Sequence, residues 1–238
     1  VAGTTMERGE SRGTGGTALF TGTNLGTAAA GTGSNVIFSG GVTATAGSGA
    51  VGSVTRGILS WAIVSPDGGS TYSFAATNNA TTNGLQALAA NEHADNTLAT
   101  ASSNVYFTTG TTTASSGPIT LNSLTFTGGN LSINAGSRVL IDSGGILATA
   151  SGSINGSGRL LTTNGFGREL IVHVMGGSTT LTINPSIYMS GGGLTKAGTG
   201  TLELAAAETY LGLTTINAGV LKLIGGAQAL FSPFTSIP

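Results

Sequence analysis

The sequence predicts an all-β chain coiled into a parallel β-helix, a β-solenoid with three short strands per rung of about 20 residues. Three observations carry that expectation. Short apolar bursts with period-2 alternation recur every ~7–13 residues, which reads as a series of half-buried strands. The bursts are punctuated by Gly-Gly, Asn-Gly, Asn-Ala-Gly and Ser-Gly-Gly, residues that accept left-handed backbone at tight turns. The turn phrases also repeat. Ser-Ile-Asn occurs at 132–134 and 153–155, Thr-Ile-Asn at 182–184 and 215–217, and Asn-Ala-Gly at 134–136 and 217–219. A hairpin sandwich shares the rhythm, but self-similar turns mark stacked rungs.

The regular part runs from Pro118 to Ile224. Its bursts are Leu121–Phe126, Leu131–Ile133, Val139–Ile141, Gly145–Leu147, Gly152–Ile154, Arg159–Leu161, Leu170–Val172, Leu181–Ile183, Ile187–Met189, Leu202–Leu204, Thr214–Ile216 and Val220–Leu223. In a β-helix each rung satisfies its backbone donors and acceptors through the rungs on either side. Inward Leu, Ile and Val then form aliphatic ladders, while outward Thr and Ser pair with like neighbours.

The chain divides into four stretches. Residues 1–55 are a β lead-in with first rungs, including Ala18–Phe20 and Asn35–Phe38; Glu7, Arg8, Glu10 and Arg12 make its start an exposed, charged segment. Residues 56–104 interrupt the repeat with β structure around Trp61, a turn at Ser65–Gly69, the burst Tyr72–Ala75 and a short helix within Leu85–Ala94. Residues 105–224 carry the regular rungs, with coiling resumed near Asn104–Phe107, and 225–238 form an apolar tail or cap.

Composition narrows the function. Gly contributes 41 of 238 residues, far above the usual ~7%, and charged residues are scarce against the usual ~25%. Hydrophobic residues at 39% and their clustering oppose a disordered linker. The net charge of −1 with eight basic residues offers no basic stripe for nucleic acid. No apolar run reaches the length of a membrane-spanning helix. The lack of Cys excludes a disulfide framework and a thiolate metal site. Val1–Thr4 lack the pattern of a signal peptide, so any such peptide is expected to be removed or to lie in a longer parent chain.

Gly191-Gly-Gly-Leu-Thr-Lys-Ala-Gly-Thr-Gly-Thr-Leu-Glu-Leu204, continued by Glu208 to Leu223, closely resembles the autotransporter-associated β-strand repeat. The pattern is carried by Gly193, Leu194, Thr195, Lys196, Gly198, Gly200, Thr201, Leu202, Leu204, Tyr210, Thr215, Ile216, Asn217, Gly219, Leu221 and Leu223. Leu213 stands where the family usually has a small residue, and Ala205–Ala207 where it often has Ser-Gly. Gly57–Ala62 and Gly84–Leu88, with Glu92 one place late, are similar to phrases that precede such repeats in passenger-like proteins of environmental bacteria. The resemblance implies export, a right-handed coil and a cell-surface setting on a Gram-negative-type bacterium. It implies no catalytic activity.

Candidate sites are few. A polysaccharide-cleaving β-helix needs carboxylates converging on one face. The only Asp residues are Asp67, Asp95 and Asp142, widely spaced. The densest polar cluster is Asn91–Asn96, so Glu92, His93 and Asp95 are the candidates for a polar surface site; the plainer reading is a hydrated loop. His173, between two valines of a strand, is expected to point away from the apolar face, and Arg168-Glu169 to form a surface charge pair. No Gly-x-Ser-x-Gly elbow, calcium nonapeptide or phosphate loop occurs. The reading is therefore a structural or adhesive extracellular β-helix without cofactor or catalysis. Its expected partners are copies of itself, surface glycans or a neighbouring cell surface. The alternatives are a carbohydrate-active enzyme, in which His93, Asp95 or Asp142 must meet, and a self-assembling filament subunit.

Overall fold

The computed structural model describes residues 4–6, 13–26, 34–38, 42–77, 84–163, 168–225 and 234–236. The charged positions Glu7, Arg8, Glu10 and Arg12, and tail residues 226–233, lie outside the described residues.

In chain order, β1 (Thr4–Met6), β2 (Ala18–Thr21) and β3 (Val36–Phe38) precede a hairpin of β4 (Ile58–Ser65) and β5 (Ser73–Thr77), followed by β6 (Leu85–Ala87). A single 3₁₀ turn, Ala90–Glu92, then leads into β7 (Ala94–Asp95), so Leu85–Ala94 holds two short strands and one turn rather than the expected helix. Two residues of β-extended backbone, Ala89 and His93, bracket that turn and stop it from propagating.

The solenoid follows. Its strands are β8 (Asn104–Phe107), β9 (Thr111–Ala114), β10 (Pro118–Phe126), β11 (Asn130–Ile133), β12 (Arg138–Ala148), β13 (Gly152–Asn155), β14 (Arg159–Thr162) and β15 (Leu170–Val174). They continue as β16 (Thr180–Ile183), β17 (Ser186–Met189), β18 (Leu194–Ala197), β19 (Thr201–Leu204), β20 (Thr209–Tyr210), β21 (Thr214–Ile216), β22 (Val220–Leu223) and β23 (Phe234–Ser236).

Every pairing from β7 onward is parallel, and the registers resolve three faces. One face stacks the first half of β10 and of β12, then β14, β17 and β20. The second stacks β7, β8, the second halves of β10 and β12, then β15, β18, β21 and β23. The third stacks β9, β11, β13, β16, β19 and β22. β10 and β12 turn the corner between the first two faces without a break, with an irregularity between Leu121 and Ser123. The chain is thus a β-solenoid of about six turns with a repeat of about 21 residues, as the burst spacing predicts.

The core is built from in-register ladders. Leu131, Ile154, Ile183, Leu204 and Leu223 form one column. Val105, Leu124, Ile146 and Val172 begin another. All of these except Leu223, which is exposed at the end of its column, are buried. Each fully buried aliphatic side chain stabilises the fold by about 1.5–3 kcal/mol relative to exposure.

The interruption of the repeat is a second layer. β2, β4, β5 and β6 form a four-stranded sheet, parallel at β2–β4 and antiparallel elsewhere. Its inner side chains, Ile58, Ile63, Phe74 and Ala76, pack on Leu147 and Met175, which project outward from the solenoid's second face. Its outer side, with Leu59, Ala62, Val64, Ala75 and Leu85, is covered in turn by Leu25 and flanked by Val36, Phe38 and Trp61. This double covering explains why β4 reads as a nearly continuous apolar run, Ile-Leu-Ser-Trp-Ala-Ile-Val, rather than an alternating one. Gly145 lies where the layers meet. A Cβ there would come within 3.0 Å of the Phe74 ring and of Ser60 Cβ, so the close approach of sheet to solenoid requires Gly.

Candidate functional site

The principal buried polar cluster lies where the covering sheet joins the first rung. Arg56 and Glu92 are 3% and 1% exposed. Glu92 accepts from Arg56 Nη1 at both carboxylate oxygens, 2.7 and 2.6 Å, and from the Gly52 and Ala89 amides at 2.7 and 2.9 Å. Burial pushes the Glu92 pKa up, but those donors outweigh it and hold the carboxyl below its ordinary value. Arg56 Nη2 donates to Gln86, and Gln86 donates on to the Gly26 carbonyl. The Arg56 carbonyl accepts from both Asn104 and Asn122 at 3.0 Å, and Asn122 also donates to Asn104. One ion pair therefore joins the 42–56 segment, β6, the 3₁₀ turn and the first two rungs. The polar loop expected around Glu92 is instead a buried clamp.

His93 and Asp95 lie beside it on the solvent side. Their side chains contact each other at 2.7 Å, and the His93 ring stacks on Tyr106 at 3.7 Å. Asp95 is more than half exposed. Asp142 is remote. Asp95, Tyr106, Thr125 and Leu147 are in register on successive strands, a separation of ~14 Å at ~4.8 Å per strand. Asp142 lies five residues before Leu147, beyond the β12 corner, against Thr163 and Arg168. Asp67 is occupied in its own turn, accepting from Ser65, Ser70 and Thr71. The three Asp residues do not converge. Among the described residues no cluster of three or more His, Asp or Glu side chains is placed to hold a metal ion, and no helix is long and apolar enough to cross a membrane.

One sequence expectation holds in direction and another needs correction. His173 does point away from the aliphatic core, but it is 2% exposed rather than on the surface. It packs edge-on against Phe74 and contacts the Ser60 carbonyl at 2.9 Å through Nε2, because the covering sheet lies on that face. Arg168 and Glu169 are not a simple surface pair. Arg168 donates to the Thr45 and Asp142 carbonyls, both at 2.9 Å. Glu169 accepts from the Gly15 amide and the Thr195 hydroxyl. They border a cleft of about 340 Å³ between the layers, with Thr14, Thr45, Ser60 and Ser143. No local signal announces either arrangement, since each partner comes from a distant segment.

The repeat motif occupies the last rungs. Leu194, Leu202, Leu204 and Tyr210 enter the core, and the Tyr210 hydroxyl meets Thr214 at 2.7 Å. Lys196 is in register with Val172 and Ile216, at an inward position of an otherwise aliphatic column. It is fully buried, and its ammonium donates to the carbonyls of Ala197, Gly198 and Ala218 at 2.8, 2.6 and 3.1 Å. The motif lysine thus braces two successive turns, while desolvation lowers its pKa to about 8. Gly198 and Gly219 make those turns with φ of +74° and +72°. Asn217 donates to the Gly15 carbonyl and to Thr17, fixing the N-terminal segment alongside the last rungs.

Residues 194–223 match the passenger-associated-transport-repeat family model. The matched residues run from the first residue of β18 to the last of β22, one full turn and the start of the next. No curated protein and no solved structure matches the chain. The family match together with the β-solenoid fits an autotransporter passenger region, as the Gly191–Leu223 resemblance implies.

Proposed function

We propose that this chain is a structural segment of a surface-displayed passenger: a right-handed, non-catalytic β-helix that carries a covering sheet on one face and serves as a stalk for adhesion on a Gram-negative-type bacterium. The carrying observation is the placement of the matched repeat. Its Leu columns continue the ladders of the unmatched rungs, so residues with no family match extend the same coil. The non-catalytic part rests on the dispersal of Asp67, Asp95 and Asp142 and on the structural engagement of Glu92.

The test is surface display. The chain is placed between a signal peptide and an outer-membrane β-barrel, and intact cells are probed with antibody and protease. The expected result is display with a protease-resistant core of rungs, and no release of sugars from a polysaccharide panel. Failure to appear on the surface, or turnover of any polysaccharide, overturns the reading.

A further inference from the structure

The solenoid's first face carries a cationic strip. Arg138 and Arg159 are directly in register on β12 and β14. Both are exposed and alternate with the inward Val139 and Leu160. Among the described residues neither has a carboxylate partner. Like charges on adjacent strands, ~4.8 Å apart, are destabilising unless something neutralises them. In a chain with only eight basic residues, two are placed side by side in this way. On the next strand Tyr188 is 42% exposed, with the Arg159 guanidinium 5.5 Å from its ring centre. Leu140 and Leu161, half-buried, share the column of Tyr188 and run alongside the two arginines.

We infer that this face binds an acidic polysaccharide lying along the solenoid axis, with Arg138 and Arg159 pairing sugar carboxylates and Tyr188 stacking on a sugar ring. This deepens the adhesive reading above and rests on it. Guanidinium forks match carboxylates bidentately, and an exposed aromatic ring offers a flat apolar surface beside them. An acidic peptide fits less well, because extended peptides are held by unpaired strand edges and β12 and β14 are paired on both sides here. With a net charge of −1, affinity for a polyanion must be local.

The experiment is titration of the whole chain with oligogalacturonate, dextran oligomers and poly-glutamate at low and physiological salt. Binding is expected for oligogalacturonate alone. The R138Q/R159Q variant should lose about tenfold or more in affinity, given two charge-assisted pairs. Tyr188→Ala should weaken binding with an unchanged salt dependence, whereas Lys222→Gln, whose ammonium pairs with Glu203 on another face, should bind as the parent does. No oligogalacturonate binding, equal loss in Lys222→Gln, or equal binding of poly-glutamate overturns the inference. The same variants are scored for surface display. A parent chain that is displayed but binds no oligogalacturonate sinks this inference alone, whereas a parent chain that is not displayed sinks the stalk reading.

Discussion

The solenoid rungs and the covering layer of β2, β4, β5 and β6 bury their polar groups in different ways. In the rungs, repetition does it: strands pair with the rungs on either side, and aliphatic side chains stack on aliphatic side chains, Lys196 being an exception. In the layer, single contacts do it. Where the layer meets the rungs, Arg56 pairs with Glu92, His173 meets the Ser60 carbonyl, and Gly145 lies close to Phe74 and Ser60. A defect in a repeating column is therefore felt by the coil, and a defect in a single contact by the attachment of the layer. The sole Trp, Trp61, lies in the layer. Its fluorescence reports the layer while far-UV circular dichroism is dominated by the rungs.

The largest expected effect is from Glu92→Ala. It leaves the Arg56 guanidinium buried without its carboxylate, which costs about 3–5 kcal/mol. In urea the Trp61 transition should move well below the dichroism transition; coincident transitions would merge the two regions into one unit. Leu202→Ala, in a column of the matched repeat, should cost about 2–5 kcal/mol through cavity formation. Here the dichroism transition must move, and a shift confined to Trp61 would reverse the assignment. Gly145→Ala pushes Phe74 and Ser60 away from the solenoid and should cost about 1–3 kcal/mol, again read at Trp61 first.

Acid sharpens the same contrast because the two ends respond in opposite senses. Glu92 has a folded pKa below its ordinary 4.5. Its stabilisation is complete above the unfolded value and is lost as pH falls through the folded one, so acid loosens the layer. Glu208 is 1% exposed, with one oxygen on the Ile187 amide and the other unpartnered. Burial raises its pKa to about 8. The unfolded state releases its proton near 4.5 while the folded state keeps it, so a penalty grows from about pH 4.5 to about pH 8. Glu208→Gln should therefore stabilise the last rungs by up to about 3 kcal/mol at pH 7 and by almost nothing at pH 4. Equal effects at both pH values would remove the buried-carboxyl account.

The same division decides what could be read from the sequence. Rungs are legible because their signal is local and repeated; the bursts at Leu131, Gly152, Leu181 and Leu202 announce both a strand and its partner. β18 is less legible, because Lys196 breaks the aliphatic pattern at a position facing inward. The layer's strands show as apolar bursts, but their docking does not. What Ile63 and Phe74 cover depends on Leu147 and Met175, some 70 to 110 residues further along. Glu92 lay within a stretch whose composition reads as hydrated loop. Its partner Arg56 is 36 residues away, and the usable signal is that Arg56 is the only Lys or Arg between Arg12 and Arg138.

Native-state hydrogen exchange read by mass spectrometry tests the central claim most directly, that a separable layer is attached to a continuous coil. Amides of Ile58–Thr77 are expected to exchange through an opening that leaves those of Leu121–Leu204 protected, and Glu92→Ala should accelerate the first set alone. Simultaneous exchange of both sets, or faster exchange of the rungs, would contradict it.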